Sequence, residues 1–205
     1  NTLYAKWTAN TITLKYNGNG NTGGTIPADS TFSYGSSVKT AAAPTRAYTI
    51  TYNANSGTVS PTSATATYTF DGWKSSANNK NYNAATSYTD SFGATNGNVK
   101  LTAQWSGGTV TFPEPSRTGY EFVGWYDAAS GGTKIGDAGK IYTATGTKTL
   151  YAHWTIKSYT VTYKFKTNGG TPDDIITSVN YGAPVDLPKK VDSKSGWEFV
   201  GWNTN

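Results

Sequence analysis

Apolar and polar residues alternate along three short segments, and each segment runs into or towards a turn rich in Asn and Gly. The segments are Thr11–Tyr16, Tyr48–Tyr52 and Tyr159–Tyr163, followed by NGNG, NANSG and, at 167–170, TNGG. A period of two is typical of a β-strand with one buried face, and Asn-Gly pairs supply the positive φ that tight turns need. The pattern therefore predicts three copies of one strand–turn motif.

All seven tryptophans lie in two further repeated motifs. The Gly-Trp motif has the pattern aromatic-x-Phe-x-Gly-Trp and occupies residues 68–73, 120–125 and 197–202. The Ala-Trp motif has the pattern Leu-x-Ala-x-Trp and, with the residue before it, occupies 2–7, 100–105 and 149–154. Its alternation predicts a strand with Leu, Ala and Trp on one face. A shorter motif, Tyr-Gly-x-x-Val, occurs at 34–38 and 181–185.

A chain that places Trp only at repeated positions uses the same small core several times, because each Trp buries more than ~150 Å². We therefore predict that the repeated rings form local structural cores. These residues are Trp7, Phe70, Trp73, Trp105, Phe122, Trp125, Trp154, Phe199 and Trp202. Trp197 replaces a Tyr of its sister motifs, so we expect it to be the exposed one and name it as the candidate ligand-binding residue.

The order of the motifs divides the chain into repeats. Residues 1–7 are interpreted as the terminal strand of a preceding repeat, and 8–105 as a long atypical repeat with an extra strand segment. Residues 106–154 form a short repeat, and 155–205 an incomplete repeat without its final strand. The predicted fold is mainly β, with tandem small modules in an elongated array. We expect little helix, at most short segments at Ala41–Arg46 and Pro172–Thr177.

Composition supports small β modules with few charges. Charged residues are 14% of the chain, against ~25% in typical domains. Aromatic residues are also 14%, so a few large rings do much of the burying. Cys is absent, which excludes disulfides and thiolate metal sites. Met is absent too, so we expect a processed product or a piece of a longer chain. No apolar run approaches the ~18 residues of a membrane span.

The sequence shows no group of residues typical of catalysis, metal binding or nucleic-acid binding. The net charge of +5 favours weak attraction to anionic polymers, but there is no Arg-rich stripe for nucleic acid. His153, the single histidine, lies on the solvent side of its predicted strand and has no evident catalytic partner. Asp173 and Asp174 suit a turn or helix cap. Carboxylate pairs such as Asp71 with Asp90 remain open, but nothing singles one out.

Taken together, the motifs resemble the Listeria–Bacteroides repeat family, which includes the internalin B-repeats. The resemblance is closest over 109–154 and covers the first two-thirds of a repeat in 155–205. The segments that carry it most clearly are Pro115–Tyr120, Gly124–Tyr126, Gly131–Lys134 and Leu150–Trp154. The resemblance implies small β-grasp-like domains strung along secreted or wall-attached bacterial proteins. It implies roles in spacing, adhesion and self-association, and no catalytic residues.

Two departures from the family pattern affect the expected packing. Pro44–Arg46 is followed at once by a new strand, where the family would continue into its Gly-Trp motif. The repeat that ends at Trp154 has no first strand of its own. Residues 8–154 are therefore alternatively interpreted as one interleaved pair rather than two standard units.

The sequence favours a non-enzymatic segment of a bacterial extracellular repeat protein, without cofactor or metal. Its expected role is a stalk or spacer and an adhesive or self-associating module, on the cell surface or secreted. The alternative is an ancillary carbohydrate-binding module of a larger secreted enzyme. Exposed coplanar rings would favour that alternative, and buried Trp rings would favour the stalk.

The expected partners are neighbouring repeats, further copies and an unknown host protein or glycan. The last Gly-Trp motif has no Ala-Trp motif after it, while Thr2–Trp7 is an Ala-Trp motif without a repeat before it. We therefore expect that Thr2–Trp7 of one copy can complete the C-terminal repeat of the next, which would join copies head to tail into a filament.

Overall fold

The computed structural model describes residues 1–165, 174–188 and 194–204. Regular structure in these ranges is almost entirely β, with a single turn of 3-10 helix at Ser91–Gly93. The first eight strands are β1 (Thr11–Asn17), β2 (Ser30–Ser33), β3 (Val38–Lys39), β4 (Ala47–Asn53), β5 (Ser63–Ser75), β6 (Asn81–Tyr82), β7 (Ser87–Tyr88) and β8 (Gly97–Gly107). The others are β9 (Thr109–Thr111), β10 (Tyr120–Tyr126), β11 (Lys134–Gly136), β12 (Ile141–Thr143), β13 (Lys148–Ile156), β14 (Ser158–Tyr163) and β15 (Ile175–Asn180). The prediction of a mainly β protein with little helix is confirmed.

Segments of the chain alternate between two compact units. Unit 1 consists of Asn1–Tyr52, Pro61–Pro113 and Gly139–Leu150, and unit 2 consists of Asn53–Ser60, Glu114–Ala138 and Tyr151–Asn205. The turn of the second strand–turn motif thus belongs to the same unit as the second Gly-Trp motif. The repeat boundaries predicted from motif order stay a prediction.

The main sheet of unit 1 is mixed, with the strand order β4-β5-β8-β1-β2 and with β6 added beside β5. β8 lies parallel to β1 and antiparallel to β5. Two parallel strands that are neighbours in a sheet need a long connection between them. Here the connection from the end of β1 at Asn17 to the start of β8 at Gly97 contains most of unit 1. Smaller pairs are β3 with β7 and β9 with β12. The first Ala-Trp motif that forms a strand, Lys100–Trp105, therefore lies between a strand–turn motif and a Gly-Trp motif.

The core of unit 1 follows from the alternation of its strands. Ile12 and Leu14 of β1 and Leu101 of β8 are at most 2% exposed, as the period-two pattern requires. Trp73 is completely buried and stands edge-on to Tyr16, with ring centroids 4.8 Å apart. Edge-to-face packing places the positive edge of one ring on the negative face of the other, which adds to the stabilisation from burial.

Polar groups at the rim of this core are satisfied by other residues of the same unit. The Tyr82 hydroxyl donates to a carboxylate oxygen of Asp90 at 2.7 Å and accepts from the Asn78 amide at 2.8 Å. Burial is the main cause that raises the pKa of Tyr82 above the ordinary tyrosine value. The Asp90 carboxylate also caps the 3-10 turn by accepting from the Phe92 amide. Asp90 is therefore committed to structure.

Unit 2 has a three-stranded sheet, β11-β10-β13, and a separate hairpin, β14–β15. Trp125 of β10 and Ala152 of β13 are completely buried and lie opposite each other in the antiparallel pair. The small Ala leaves room for the ring of the large Trp. The hairpin carries the third strand–turn motif, with Tyr163 buried and Tyr159 half exposed.

The two short helices predicted from sequence do not form in the described residues. Ala41–Arg46 is irregular, and Thr45 makes an isolated bridge to Gly23. Ile175–Thr177 are part of β15, because pairing with β14 determines their conformation; Pro172 and Asp173 lie outside the described ranges. Tertiary pairing outweighs the weak helical preference of such short segments. No helix within the described ranges is long and apolar enough to cross a membrane.

Trp125→Ala should destabilise unit 2 by about 3–5 kcal/mol, because it removes a large, fully buried ring and leaves a cavity. Trp197→Ala is the matched control: this ring is 71% exposed, and we expect a change within about 0.5 kcal/mol. Urea denaturation followed by far-UV circular dichroism measures both. Equal losses in the two variants would contradict the assignment of Trp125 to the core.

Candidate functional site

The repeated motifs meet in the same arrangement in both units. In unit 1 the Gly-Trp motif of β5 pairs with the Ala-Trp motif of β8, with Phe70 opposite Trp105 and Trp73 opposite Ala103. In unit 2 the corresponding pairs are Phe122 with Trp154 and Trp125 with Ala152. One cross-strand register is therefore used twice.

Each arrangement closes around three aromatic rings. The centroid of Phe70 lies 5.2 Å from that of Trp73 and 5.7 Å from that of Trp105. In unit 2, Phe122 lies 5.5 Å from Trp125 and 5.6 Å from Trp154. All four contacts are edge-to-face. The central Phe is half-buried in both units and holds the two Trp rings together.

A bulge in the Gly-Trp motif makes these ring contacts possible. Phe and Trp are three residues apart, which on a regular strand would place them on opposite faces. The register shifts between Phe70 and Gly72, and again between Phe122 and Gly124, so one extra residue is absorbed and both rings return to one face. Gly72 has φ 123° and Gly124 has φ 150°, a region that other residues rarely adopt. The invariant spacing Phe-x-Gly-Trp therefore encodes a bulge, which the sequence reading missed.

A second contact fastens the strand–turn motif to the Ala-Trp motif. In unit 1 the Asn19 amide donates to the Ala103 carbonyl at 2.9 Å, and Trp105 Nε1 donates to the carbonyls of Gly18 and Asn19 at 3.1 Å. In unit 2 the Asn55 amide donates to the Ala152 carbonyl at 3.1 Å, and Trp154 Nε1 donates to the Ala54 carbonyl at 2.9 Å. We call this pair of reciprocal contacts the turn lock.

The turn lock depends on the local geometry of its Asn residues. Asn19 has φ 49° and Asn55 has φ 48°, the left-handed region that Asn tolerates better than most residues. A local hydrogen bond supports this conformation in each turn. The backbone N–H of Asn19 donates to the Asn17 side chain at 2.8 Å, and that of Asn55 donates to the Asn53 side chain at 2.9 Å. Sequence reasoning identified these Asn residues as turn formers. The feature of the sequence that could have predicted the turn lock is that the Asn-Gly turn and the Ala-Trp motif recur together.

Several predicted residues lie outside these two arrangements. Trp7 is 89% exposed, which differs from its predicted core position, because residues 1–9 pair with no strand in the described part of the chain. Phe199 is 46% exposed, and Trp202 is half-buried between Tyr163 and Phe165, at 5.2 and 4.9 Å. Trp197 is largely exposed, and the Lys194 ammonium lies 4.6 Å from its ring centroid. Among the residues singled out from sequence, the exposed rings are therefore Trp7, Trp197 and Phe199.

The polar residues weighed for chemistry have structural contacts. The His153 ring stacks on Tyr126 at 3.8 Å, and its Nε2 lies 2.9 Å from the Ala128 carbonyl oxygen. Asp71 accepts from the Ser106 hydroxyl, and Asp174 accepts from the Phe165 amide. Asp173 lies outside the described residues. Within the described ranges, no three His, Cys, Asp or Glu side chains cluster in a way that could hold a metal ion.

Asn55→Ala should cost unit 2 about 2 kcal/mol or more, because it removes the donor to Ala129 and Ala152 and places a Cβ without a polar group at positive φ. Asn55→Gly keeps the backbone conformation and loses only the hydrogen bonds, so we expect a loss of about 1 kcal/mol. Chemical denaturation compares them. The turn lock would be unsupported if both variants unfolded like the parent chain.

Comparison with known proteins places these motifs in a family. The family model named Listeria-Bacteroides repeat domain matches residues 88–153 and 159–205, which is more than half of the chain. Internalin H of Listeria monocytogenes is 39% identical over 90 residues, 43% of this chain and 15% of that protein. No solved structure gives a significant match.

Two proteins of Evansella cellulosilytica are also similar. A putative Gly-rich membrane protein is 32% identical over 95 residues, 43% of this chain and 11% of its own length. A putative membrane protein is 32% identical over 120 residues, 56% of this chain and 17% of its own length. The chain thus spans less than a fifth of each of these three relatives, and the two from Evansella cellulosilytica are named as membrane proteins. From the family match and the repeated motifs, this chain belongs to the Listeria–Bacteroides repeat family of surface repeat proteins.

Proposed function

We propose that the chain is a non-enzymatic segment of an extracellular bacterial repeat protein that acts as a spacer and as an adhesive or self-associating module. We further propose that its repeats are small β-grasp-like modules in tandem, on the cell surface or secreted. Family membership and the surface-protein relatives support this location. The described polar residues weighed for catalysis, Asp71, Asp90, His153 and Asp174, make hydrogen bonds within the fold, which supports a structural role for them.

The parallel pairing of β1 and β8 is the observation that best supports the spacer role. Six residues of each strand are paired, from Ile12 opposite Gly97 to Asn17 opposite Thr102. In a parallel pair, the start of one strand and the end of the other lie at opposite ends of the ladder. A force applied at the start of β1 and the end of β8 therefore loads all six pairs in shear at once.

The turn lock and the ring contacts add resistance along the same ladder. Trp105 donates to the turn that ends β1, and Asn19 of that turn donates back to β8. These side chains join segments 84–87 residues apart in sequence. Sliding β8 along β1 must break these hydrogen bonds together with the ladder. A module built in this way suits a chain that carries tension between a cell and a surface.

Single-molecule pulling tests the spacer role, and the absence of Cys allows handles at any chosen pair of sites. Handles on Asn10→Cys and Ser106→Cys, both exposed positions, load the β1–β8 ladder in shear. Handles on Asn10→Cys and Tyr34→Cys load the antiparallel β1–β2 hairpin from its open end, where Tyr34 N–H donates to the Asn10 carbonyl, so its pairs break one at a time. We expect a clearly higher unfolding force in shear. Equal forces in the two geometries would count against a load-bearing module.

A carbohydrate-binding role is the second candidate, and the exposed ring of Trp197 is the observation that favours it. A flat, solvent-facing Trp with an ammonium beside it offers stacking and hydrogen bonding to a sugar. By contrast, Trp73 and Trp125 are fully buried and present no platform.

A binding screen against a panel of glycans and matrix proteins separates the two candidates. If Trp197 forms a sugar platform, Trp197→Ala abolishes glycan binding and leaves the unfolding midpoint unchanged. Tyr34→Ala, at another half-exposed ring, is the control and retains binding. Adhesion to a matrix protein that survives Trp197→Ala would favour the spacer and adhesive role over the carbohydrate-binding one.

A further inference from the structure

The two arginines of the chain make the same contact, one in each unit. Arg46 and Arg117 each end a Pro-x-Arg sequence. The Arg46 guanidinium carbon lies 4.4 Å from the ring centroid of Tyr68, and that of Arg117 lies 3.7 Å from the ring centroid of Tyr120. A guanidinium over an aromatic face is attracted by the negative side of the ring quadrupole. The contact is kept although β4 separates Arg46 from Tyr68, whereas Arg117 and Tyr120 lie in one turn.

Three backbone hydrogen bonds accompany this contact in unit 2. Tyr120 N–H donates to the Arg117 carbonyl at 3.1 Å, and Lys157 N–H donates to the Gly119 carbonyl at 2.9 Å. The Lys157 carbonyl in turn accepts from Tyr181 N–H at 2.8 Å. Lys157 is the single residue between β13 and β14. Both backbone polar groups of this connecting residue are therefore bonded within the unit.

The same three hydrogen bonds recur in unit 1. Tyr68 N–H donates to the Arg46 carbonyl at 2.8 Å, and Gly108 N–H donates to the Thr67 carbonyl at 3.1 Å. The Gly108 carbonyl accepts from Ala144 N–H at 2.9 Å. Gly108 is the single residue between β8 and β9. We call each set of three bonds, together with its Arg–Tyr pair, a joint.

A tyrosine ring packs against a glycine in each joint. In unit 2, the Tyr181 ring lies so close to Gly119 that a Cβ on this glycine would come within 1.9 Å of the ring. In unit 1, the Tyr68 ring lies against Gly108, where a Cβ would come within 2.0 Å. Gly119 has φ 78° and Gly108 has φ 70°, a region that residues with a side chain rarely adopt. Each joint therefore requires a glycine for space and for backbone conformation.

The connecting residue of a joint is held by its backbone. It is Gly108 in one unit and Lys157 in the other, and in both its N–H and its C=O make the contacts. The following strands also differ in pairing, since β9 pairs with β12 and β14 pairs with β15. Both connecting residues come just after Trp105 and Trp154, where motif order predicts that a repeat ends. One joint thus serves two different following elements.

We propose that the Arg–Tyr pair and the carbonyl of the residue before the Tyr form a docking surface for the first residues of the next repeat. The partner is the backbone of a neighbouring repeat of the same protein, so any residue that keeps its N–H fits. A one-residue connection with unbonded backbone groups would act as a hinge, whereas docking ties the new strand to the sheet before it. This inference rests on the proposed spacer function and deepens it by naming the surface that joins neighbouring repeats.

A lysine-specific endoprotease tests the joint of unit 2, because cleavage after Lys157 requires that the joint opens. Tyr181→Ala removes the ring that packs on Gly119. We expect cleavage after Lys157 to become about tenfold faster, since the rate follows the population of the open form. Ile176→Ala is the matched control: it removes a 71% exposed side chain from the same hairpin and should leave this rate unchanged. Mass spectrometry of the fragments gives the rate at each site.

Cleavage after Lys164 separates opening of the joint from unfolding of the hairpin. Lys164 directly follows β14, so its cleavage reports the loss of the hairpin itself. In Tyr181→Ala this rate should change much less than the rate after Lys157. Equal acceleration at both sites, or equal effects of Tyr181→Ala and Ile176→Ala, would overturn the proposal.

Amide hydrogen exchange tests the Arg–Tyr pair. Arg117→Lys keeps the charge but loses the planar group that stacks on Tyr120. The amides of Tyr120, Lys157 and Tyr181 should then exchange faster by a common factor, because one opening frees all three. Thr118→Ala, at an exposed position of the same turn, is the control and should leave them unchanged, as both variants should leave the corresponding amides of unit 1.

Unchanged exchange in Arg117→Lys, or three amides that respond independently, would contradict a joint formed around the Arg–Tyr pair. These outcomes are separate from those for the spacer role, because the pulling geometries load the β1–β8 ladder and the β1–β2 hairpin. A chain that resists shear but opens freely at Lys157 keeps the spacer function and loses the docking surface. A chain with protected joints and equal unfolding forces does the reverse.

Discussion

The one-residue bulge in the Gly-Trp motif is the constraint on which the rest of each repeat depends. Without it, the Phe and the Trp three residues later would point to opposite faces of the strand, and the three-ring cluster could not form. With it, Trp73 and Trp125 reach the core and lie opposite Ala103 and Ala152. A large ring facing a methyl group fills the space without strain, which explains why Trp and Ala recur together. The glycine is required because the bulge needs a positive φ.

The turn lock joins parts of the chain that lie far apart in sequence. The contacts that close each arrangement are made by side chains 84–100 residues apart, between a turn and the end of an Ala-Trp strand. None of them depends on the residues in between. The chain can therefore leave one unit, contribute Asn53–Ser60 to the other, and return at Pro61. The order of motifs along the sequence consequently differs from their grouping in space.

Buried aromatic rings and exposed aromatic rings have different environments in this protein. The rings with repeated partners stabilise the sheets, and their polar atoms are satisfied by backbone carbonyls, as Trp105 and Trp154 show. The most exposed rings are those of Tyr4, Trp7 and Trp197, while other exposed apolar side chains, such as Tyr34, Ile141 and Ile176, are spread along the chain. With only 14% charged residues, the surface offers little long-range electrostatic steering.

The sequence by itself determined the kind of element and the buried face. Alternation identified the strands and placed Ile12, Leu14 and Leu101 inward, and the combined motifs identified the family. These are local properties, since a period of two decides which side chains share a face whatever strand lies beside it. Tertiary structure alone decided that β8 lies parallel to β1 and that Asn55 and Trp154 join segments 97–100 residues apart. It also decided that Trp7 is exposed, although Trp105 and Trp154 of the sister motifs are half-buried. The same motif has different environments because burial requires a partner strand, and strand pairing is a non-local choice that no local pattern encodes.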